Sequence, residues 1–349
     1  MTRHDRHGLE SAISERRFGI TCSTLSPSEI NLRRFDVKKI NVSLPLVLYC
    51  FALLKPLDLQ ARSIVVACGD PNARVHTIAA GIARLPQHGP GTILVSGTCN
   101  EAVSISNMDR VTVVGNPSAT INGGNLAGAA LSVSFSRKVT FSNIVIKGAG
   151  GVTCDAGSTC YFNDVTIENS SQTGLNVDDA HVFCSNCAIQ NNVSDGIVEN
   201  FAYLSLFGGS VSSNGGWGIL VAASTLNIEL DSRGLPPSVT NNALDGIIAD
   251  TNATVYLGAG IISGNNGDGV NLQGHSTFRV QNSLVISGNS GHGLRIGDLS
   301  FAGFHHDATI SQNASPDVVC DSLFSATRFM FAFLPGVSTN CQSELPPLP

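Results

Sequence analysis

Five short stretches of this chain carry side chains suited to acid–base, nucleophilic or metal chemistry. Asp178 and Asp179 are adjacent carboxylates, and Glu199 follows them. A pair of carboxyls can cleave a glycosidic bond, one as acid and the other as base or nucleophile, when they stand roughly 5–9.5 Å apart. Gly291-His292-Gly293 and Arg295 offer an imidazole and a guanidinium close together in sequence. His305-His306-Asp307 and Cys184-Ser-Asn-Cys187 have the residue types of a metal site. Neither has a second ligand pair at zinc spacing, so the first reads as a polar turn and the second as a disulfide or two buried thiols. No metal is expected.

Whether such groups meet depends on the elements that carry them, and here the chain is explicit. A glycine followed by alternating apolar residues recurs at Gly174, Gly196, Gly218, Gly246, Gly269 and Gly293, with steps of 22, 22, 28, 23 and 24. A second series, Ile167, Ile189, Val211, Val239, Ile262, Ile286 and Ile310, keeps the same steps, including the long one. Two ladders with one period define a solenoid. Each repeat contains short period-2 stretches parted by Gly, Asn, Asp and Ser, as in Gly269-Val-Asn-Leu, Thr277-Phe-Arg-Val and Leu284-Val-Ile-Ser. That gives three strands per coil. A leucine-rich frame and a six-residue step are both absent. Low charge (13%), 36 glycines and 42% hydrophobic residues argue against a helical bundle and against disorder.

These coils resemble the right-handed parallel β-helix repeats of the pectin-lyase-like superfamily over residues 92–318. The expected fold is therefore all-β: a right-handed parallel β-helix of about ten coils, three strands per coil, with a short N-terminal capping helix. Residues 62–91 form the N-terminal cap, with a strand at Ser63 to Cys68, a helix at Thr77 to Leu85 and a turn at Pro86 to Gly91. Residues 319–349 form the C-terminal cap and tail, its apolar part running from Leu323 to Leu334. The superfamily contains lyases, hydrolases, epimerases and members without catalysis, so the resemblance carries the fold and leaves activity open. Polygalacturonases carry Asp-Asp, Gly-His-Gly and Arg-Ile-Lys. Asp178-Asp179, Gly291-His292-Gly293 and Arg295-Ile296-Gly297 match in composition, but five coils part Asp179 from His292, and Gly297 replaces the Lys.

The repeat sets the register of the candidate face. With the residue after each glycine inward, the polar outward positions include Asn176, Asp178, Asn200, Asp250 and Arg295, of which Asn176, Asn200, Asp250 and Arg295 are the expected binding contacts. Asp178 and Asp250 stand three coils apart, roughly 14 Å, too far for a carboxyl pair. Val198, Leu220 and Ile248 make an apolar stripe between them. Glu199 falls at an inward position, where desolvation would raise its pKa. Asn169, Asn191, Asn214, Asn241, Asn265, Asn289 and Asn313 read as a structural ladder of turn residues bonding coil to coil. The segment Glu229 to Ser238 accounts for the long step and reads as a loop bordering a groove.

Charge and cysteines set the compartment and partners. Residues 1–62 hold ten Lys/Arg and six Asp/Glu; residues 63–349 hold ten and twenty, a net of −10. An acidic body of this kind excludes nucleic acid as a partner. Basic residues Arg33 to Lys39, the apolar run Leu44 to Leu54 and Ala61 as cleavage position fit an export segment over 1–61, too short to span a membrane. Eight of the ten cysteines follow it, an even number suited to disulfides in a secreted or periplasmic protein. Cys68 with Cys99 and Cys320 with Cys341 are the expected bridges at the two ends. The expected function is non-catalytic: a rigid face offered to an extracellular polysaccharide or protein surface, without a cofactor. The alternative is a polysaccharide lyase or hydrolase using Asp178, Asp179 and Glu199, with Ca²⁺ as the one ion that reading admits.

Overall fold

The computed structural model describes residues 62–304, 308–321, 329–330 and 337–341. The export segment at 1–61, the His305-His306-Asp307 turn and most of the apolar stretch 323–334 lie outside the described residues. Successive coils pair in parallel through every strand. In one coil the strands are Leu175–Asp178, His181–Ser185 and Ala188–Gln190; in the next they are Ile197–Asn200, Tyr203–Phe207 and Ser210–Ser212. Leu175 aligns with Ile197, His181 with Tyr203 and Ala188 with Ser210. The first strands of all coils form a ten-stranded parallel sheet, and the second and third belong to a 19-stranded one. The strands His88–Cys99, Asp109–Gly124 and Val139–Gly148 run round the corner between second and third positions and so join them. The molecule is a right-handed parallel β-helix of about ten coils.

Alternation drives one residue in two inward, and stacking turns these into apolar columns. One column runs Val133, Cys154, Val177, Glu199, Val221, Ala249, Leu272, Ile296, all buried. Phe141 stacks on Phe162 at 5.6 Å, and Phe278 meets Phe304 edge-on at 5.9 Å. Each fully buried aliphatic or phenyl group contributes about 1.5–3 kcal/mol.

Polar columns hold the turns. Asn192, Asn214, Asn242, Asn265 and Asn289 are buried, and their neighbour Asn313 ends the row. Each Oδ1 from Asn214 onward accepts both the backbone N–H and the side-chain Nδ2 of the preceding rung, as Asn242 does from Asn214 (3.1 and 2.9 Å). The expected ladder therefore needs correction at three positions. Asn169, Asn191 and Asn241 are exposed and precede the ladder by one residue, with φ of 54°, 55° and 56°. They supply the left-handed turn that Asn tolerates, while the next residue does the bonding. At another corner buried serines do similar work: Ser136, Ser158, Ser224, Ser276 and Ser300 accept the N–H groups of Met108, Ser136, Ala202, Ala253 and Ser276.

The ends are closed as solenoids require. The strand Arg62–Ala67 pairs with His88–Cys99, and the helix Ile78–Ile82 covers the first coil. Thr77 caps it, and Glu101 accepts the N–H groups of Ile78 (2.6 Å) and Ala79 (3.1 Å). The helix is shorter than expected because Arg84 and Leu85 turn back onto Gly81 and Ile82. The turn expected at Pro86 to Gly91 is also shorter: His88 pairs with Asp109 and Gly91 with Arg62, so the chain is already strand. Cys68–Cys99 and Cys320–Cys341 are disulfides, as are Cys154–Cys160 and Cys184–Cys187. At the far end Ser338 and Asn340 bond Val318 and Cys320. No helix among the described residues is long and apolar enough to cross a membrane.

Asn242→Ala should cost about 2–6 kcal/mol in denaturant unfolding, since it orphans two buried donors of Asn214 at about 1–3 kcal/mol each. Asn241→Gly, one residue away at positive φ, should leave stability unchanged or raise it. Equal losses at both sites would contradict the division of roles.

Candidate functional site

The outer face of the ten-stranded sheet presents columns of side chains one strand spacing apart, about 4.8 Å. One column reads Ser134, Asp155, Asp178, Asn200, Ala222, Asp250. Asp155 and Asp178 are therefore neighbours on consecutive coils, with Asn200 on the next. Beside them Thr153 and Asn176 occupy the second outward column. Asp178 is exposed and Asp155 half-buried. Asp155 Oδ1 is sealed from solvent and has no hydrogen-bond partner. Burial first, and then the charge of Asp178, hold the Asp155 carboxyl above the usual aspartate range. A carboxyl whose ionisation is disfavoured beside one open to solvent is the kind of asymmetry that acid catalysis uses.

Asp155 was not among the residues picked out from the sequence, although the signal for it exists. Gly151-Val152-Thr153-Cys154-Asp155 repeats Gly174-Leu175-Asn176-Val177-Asp178 one period earlier. Starting the glycine ladder at Gly174 left this rung out and made the carboxylates of the face look isolated.

Asp179 lies on the corner beyond Asp178, exposed and left-handed (φ 47°). Phe135 (φ 50°, 65% exposed) and Phe201 (φ 47°, 75% exposed) occupy the same corner one coil to either side of the acid pair. A bulky residue at positive φ is unfavourable, and an exposed phenyl gains nothing from burial. Together they leave two apolar surfaces flanking the carboxyls.

The other expected residues sit elsewhere. Asp250 is three coils from Asp178 in the same column. Arg295 is spent on Asp268 (3.3 Å) and Asp321 (3.1 Å). His292 Nδ1 lies 2.7 Å from the carbonyl of Pro316, far from Asp179. Asp195, Asp245 and Asp268 form a turn column in which each accepts the next coil's N–H, from Trp217 (2.8 Å), Asp268 (2.6 Å) and His292 (2.6 Å). The remaining oxygens of Asp245 and Asp268 take Asn271 and Arg295. Burial raises the pKa of Asp268, and the N–H of His292 pulls it back. Of the apolar stripe, Val198 and Leu220 are half-buried and Ile248 is 9% exposed.

Glu199 points inward, as its place in the repeat requires, and is fully buried between Val177 and Val221. It has no access to anything bound on the outer face. Neither carboxyl oxygen has a hydrogen-bond partner. Burial raises its pKa well above the glutamate range, with the nearby N–H groups of Leu204 and Thr225 opposing weakly; that of Thr225 is committed to Ala202 at 3.0 Å.

No protein-family model and no curated relative matches the sequence. Among solved structures, the A-module of the mannuronan C-5 epimerase AlgE6 of Azotobacter vinelandii is similar at 12% identity, over 73% of this chain and 92% of that one, with a TM-score of 0.38. The periplasmic alginate epimerase AlgG is similar at 13% identity, over 73% and 71%, with a TM-score of 0.36. The catalytic domain of a GH87 alpha-1,3-glucanase in complex with nigerose is similar at 13% identity, over 82% and 69%, with a TM-score of 0.30. The coil geometry itself defines the class: a right-handed parallel β-helix.

Glu199 sets a pH dependence of stability. In the unfolded chain it ionises above about 4.5, whereas the folded protein resists ionisation, so its cost is absent at lower pH and grows as pH rises. Glu199→Gln should therefore gain stability relative to the parent between pH 5 and pH 8, by at most about 1.4 kcal/mol per pH unit. An identical difference at both pH values in denaturant titrations would contradict a carboxyl held protonated in the core.

Proposed function

We propose that the chain is a polysaccharide-active enzyme, a glycoside hydrolase whose substrate lies along the outer face of the ten-stranded sheet. The observation that carries this reading is the Asp155–Asp178 pair on adjacent coils, whose carboxyls accept no hydrogen bond from the fold, unlike those of Asp245 and Asp268. Asp155, whose ionisation is disfavoured by burial and by its neighbour, donates a proton to the glycosidic oxygen as the bond to the anomeric carbon breaks. Asp178 attacks the anomeric carbon as the leaving sugar departs, and water, giving its proton to Asp155, then displaces Asp178 and releases the shortened sugar. One strand spacing, about 4.8 Å, is close to the separation of carboxyls in retaining glycosidases, roughly 5–5.5 Å. Phe135 and Phe201 give sugar rings an apolar surface on either side.

A non-catalytic role was the expectation when Asp178 had no carboxylate on an adjacent coil; Asp155 removes that ground. Lyase chemistry on uronates fits less well, because the strands of the ten-stranded sheet carry a single cation, Arg295, and it is paired twice. Four disulfides support an extracellular or periplasmic setting for the work.

Mass spectrometry of products from a polysaccharide panel, with and without Ca²⁺, tests the reading. Shortened, saturated oligosaccharides are expected from at least one neutral polymer. Asp155→Asn and Asp178→Asn should each lower the rate about 10²–10⁴-fold with the melting temperature unchanged. Unsaturated products would replace hydrolysis with elimination. Full activity in both variants would remove the pair from the chemistry.

A further inference from the structure

A second cleft lies on a different face. It occupies about 510 Å³ at the far end of the strands His181–Ser185 and Tyr203–Phe207, a strand's length round the corner from Asp178. That volume is in the range of small-molecule sites. Its floor is a register-aligned row, Asn163, Ser185 and Phe207, on three consecutive coils. Its wall is the segment Leu230 to Arg233, inside the insertion that makes one repeat 28 residues long.

The wall is ordered by its own bonds. Asp231 Oδ1 accepts the N–H groups of Arg233 and Leu235, both at 2.8 Å, and its side chain is only 7% exposed. Arg233 pairs with Asp231 at 2.6 Å and reaches back to Asn186 Oδ1 at 3.2 Å. Asn186 in turn donates to Asp164 at 2.6 Å. The loop is seated on Gly208, whose φ is +65°; a Cβ there would stand 2.7 Å from the Cβ of Asp231. A preordered wall lowers the entropy cost of binding.

The lining fixes the ligand class. Two amides, two hydroxyls and two carboxylates line the cleft together with one half-buried phenyl ring, Phe207, the combination that takes a sugar's hydroxyls on one side and its C–H face on the other. Asp231 and Arg233 offset each other's charge, and Asp164 leaves the lining net negative, which disfavours an anion. We infer that this cleft binds an uncharged oligosaccharide, holding a glycan chain at a place separate from the acid pair.

The test is calorimetric titration of the full chain with cellohexaose, maltohexaose and a galacturonate hexamer. A neutral hexasaccharide should bind. Phe207→Ala should weaken it by about tenfold or more. Asn163→Ala, a change at the open end of the floor, should weaken it too and guards against misfolding in the Phe207 variant. Unchanged affinity in both cleft variants, binding of the galacturonate alone, or no binding of either neutral hexamer at millimolar concentration would overturn the inference. The two proposals fail separately: product formation with indifferent cleft variants sinks the cleft alone, and cleft binding without product from any polymer sinks the hydrolase alone.

Discussion

The register between coils is the constraint from which the rest of the structure follows. It is held by the buried amides of Asn214 through Asn289, each of which accepts from both the main chain and the side chain of the preceding rung. An insertion inside a repeat must therefore be looped out, as the segment after Glu229 is, because a shifted rung would leave buried donors unpaired. Fixed register makes every outward position part of a straight column. The neighbours of a side chain on the surface are then the residues one period before and after it, not those beside it in sequence.

The same constraint sorts the acidic residues. Asp195, Asp245 and Asp268 recur at a turn and are bonded to the main chain of the following coil, so their charge serves the stack. Asp155 and Asp178 sit in a strand column where the main chain is already satisfied by sheet hydrogen bonds. They are left with each other and with solvent. Glu199 is the odd member of an otherwise apolar column: an inward carboxyl whose ionisation burial strongly disfavours.

The fold was readable in the sequence because a solenoid repeats its pattern, and two ladders with one irregular step leave little freedom. The site was readable only in part. Asp178 was found and its inward neighbour Glu199 was correctly oriented, yet Asp155 was missed because Gly151 was not counted as a rung. The Asn columns blurred for a related reason. Left-handed turn and buried ladder are adjacent positions that both favour Asn, and sequence cannot tell Asn241 from Asn242 without knowing which one faces the core. The serine column at the other corner is interrupted by Ala180, Ala202 and Ala253, so it carries no visible period. Sequence marked the loop after Glu229 as an insertion, but its seating on Gly208 depends on contacts between coils.

The central claim is that Asp155 and Asp178 act as one electrostatic unit. Carboxyl-carbon NMR titration of the two residues tests it most directly. Asp155 should titrate above the ordinary aspartate range in the parent and move down when Asp178 becomes Asn, because part of its shift comes from that charge. An Asp155 that titrates at an ordinary value, or that ignores the loss of Asp178, would contradict the pairing and with it the hydrolase.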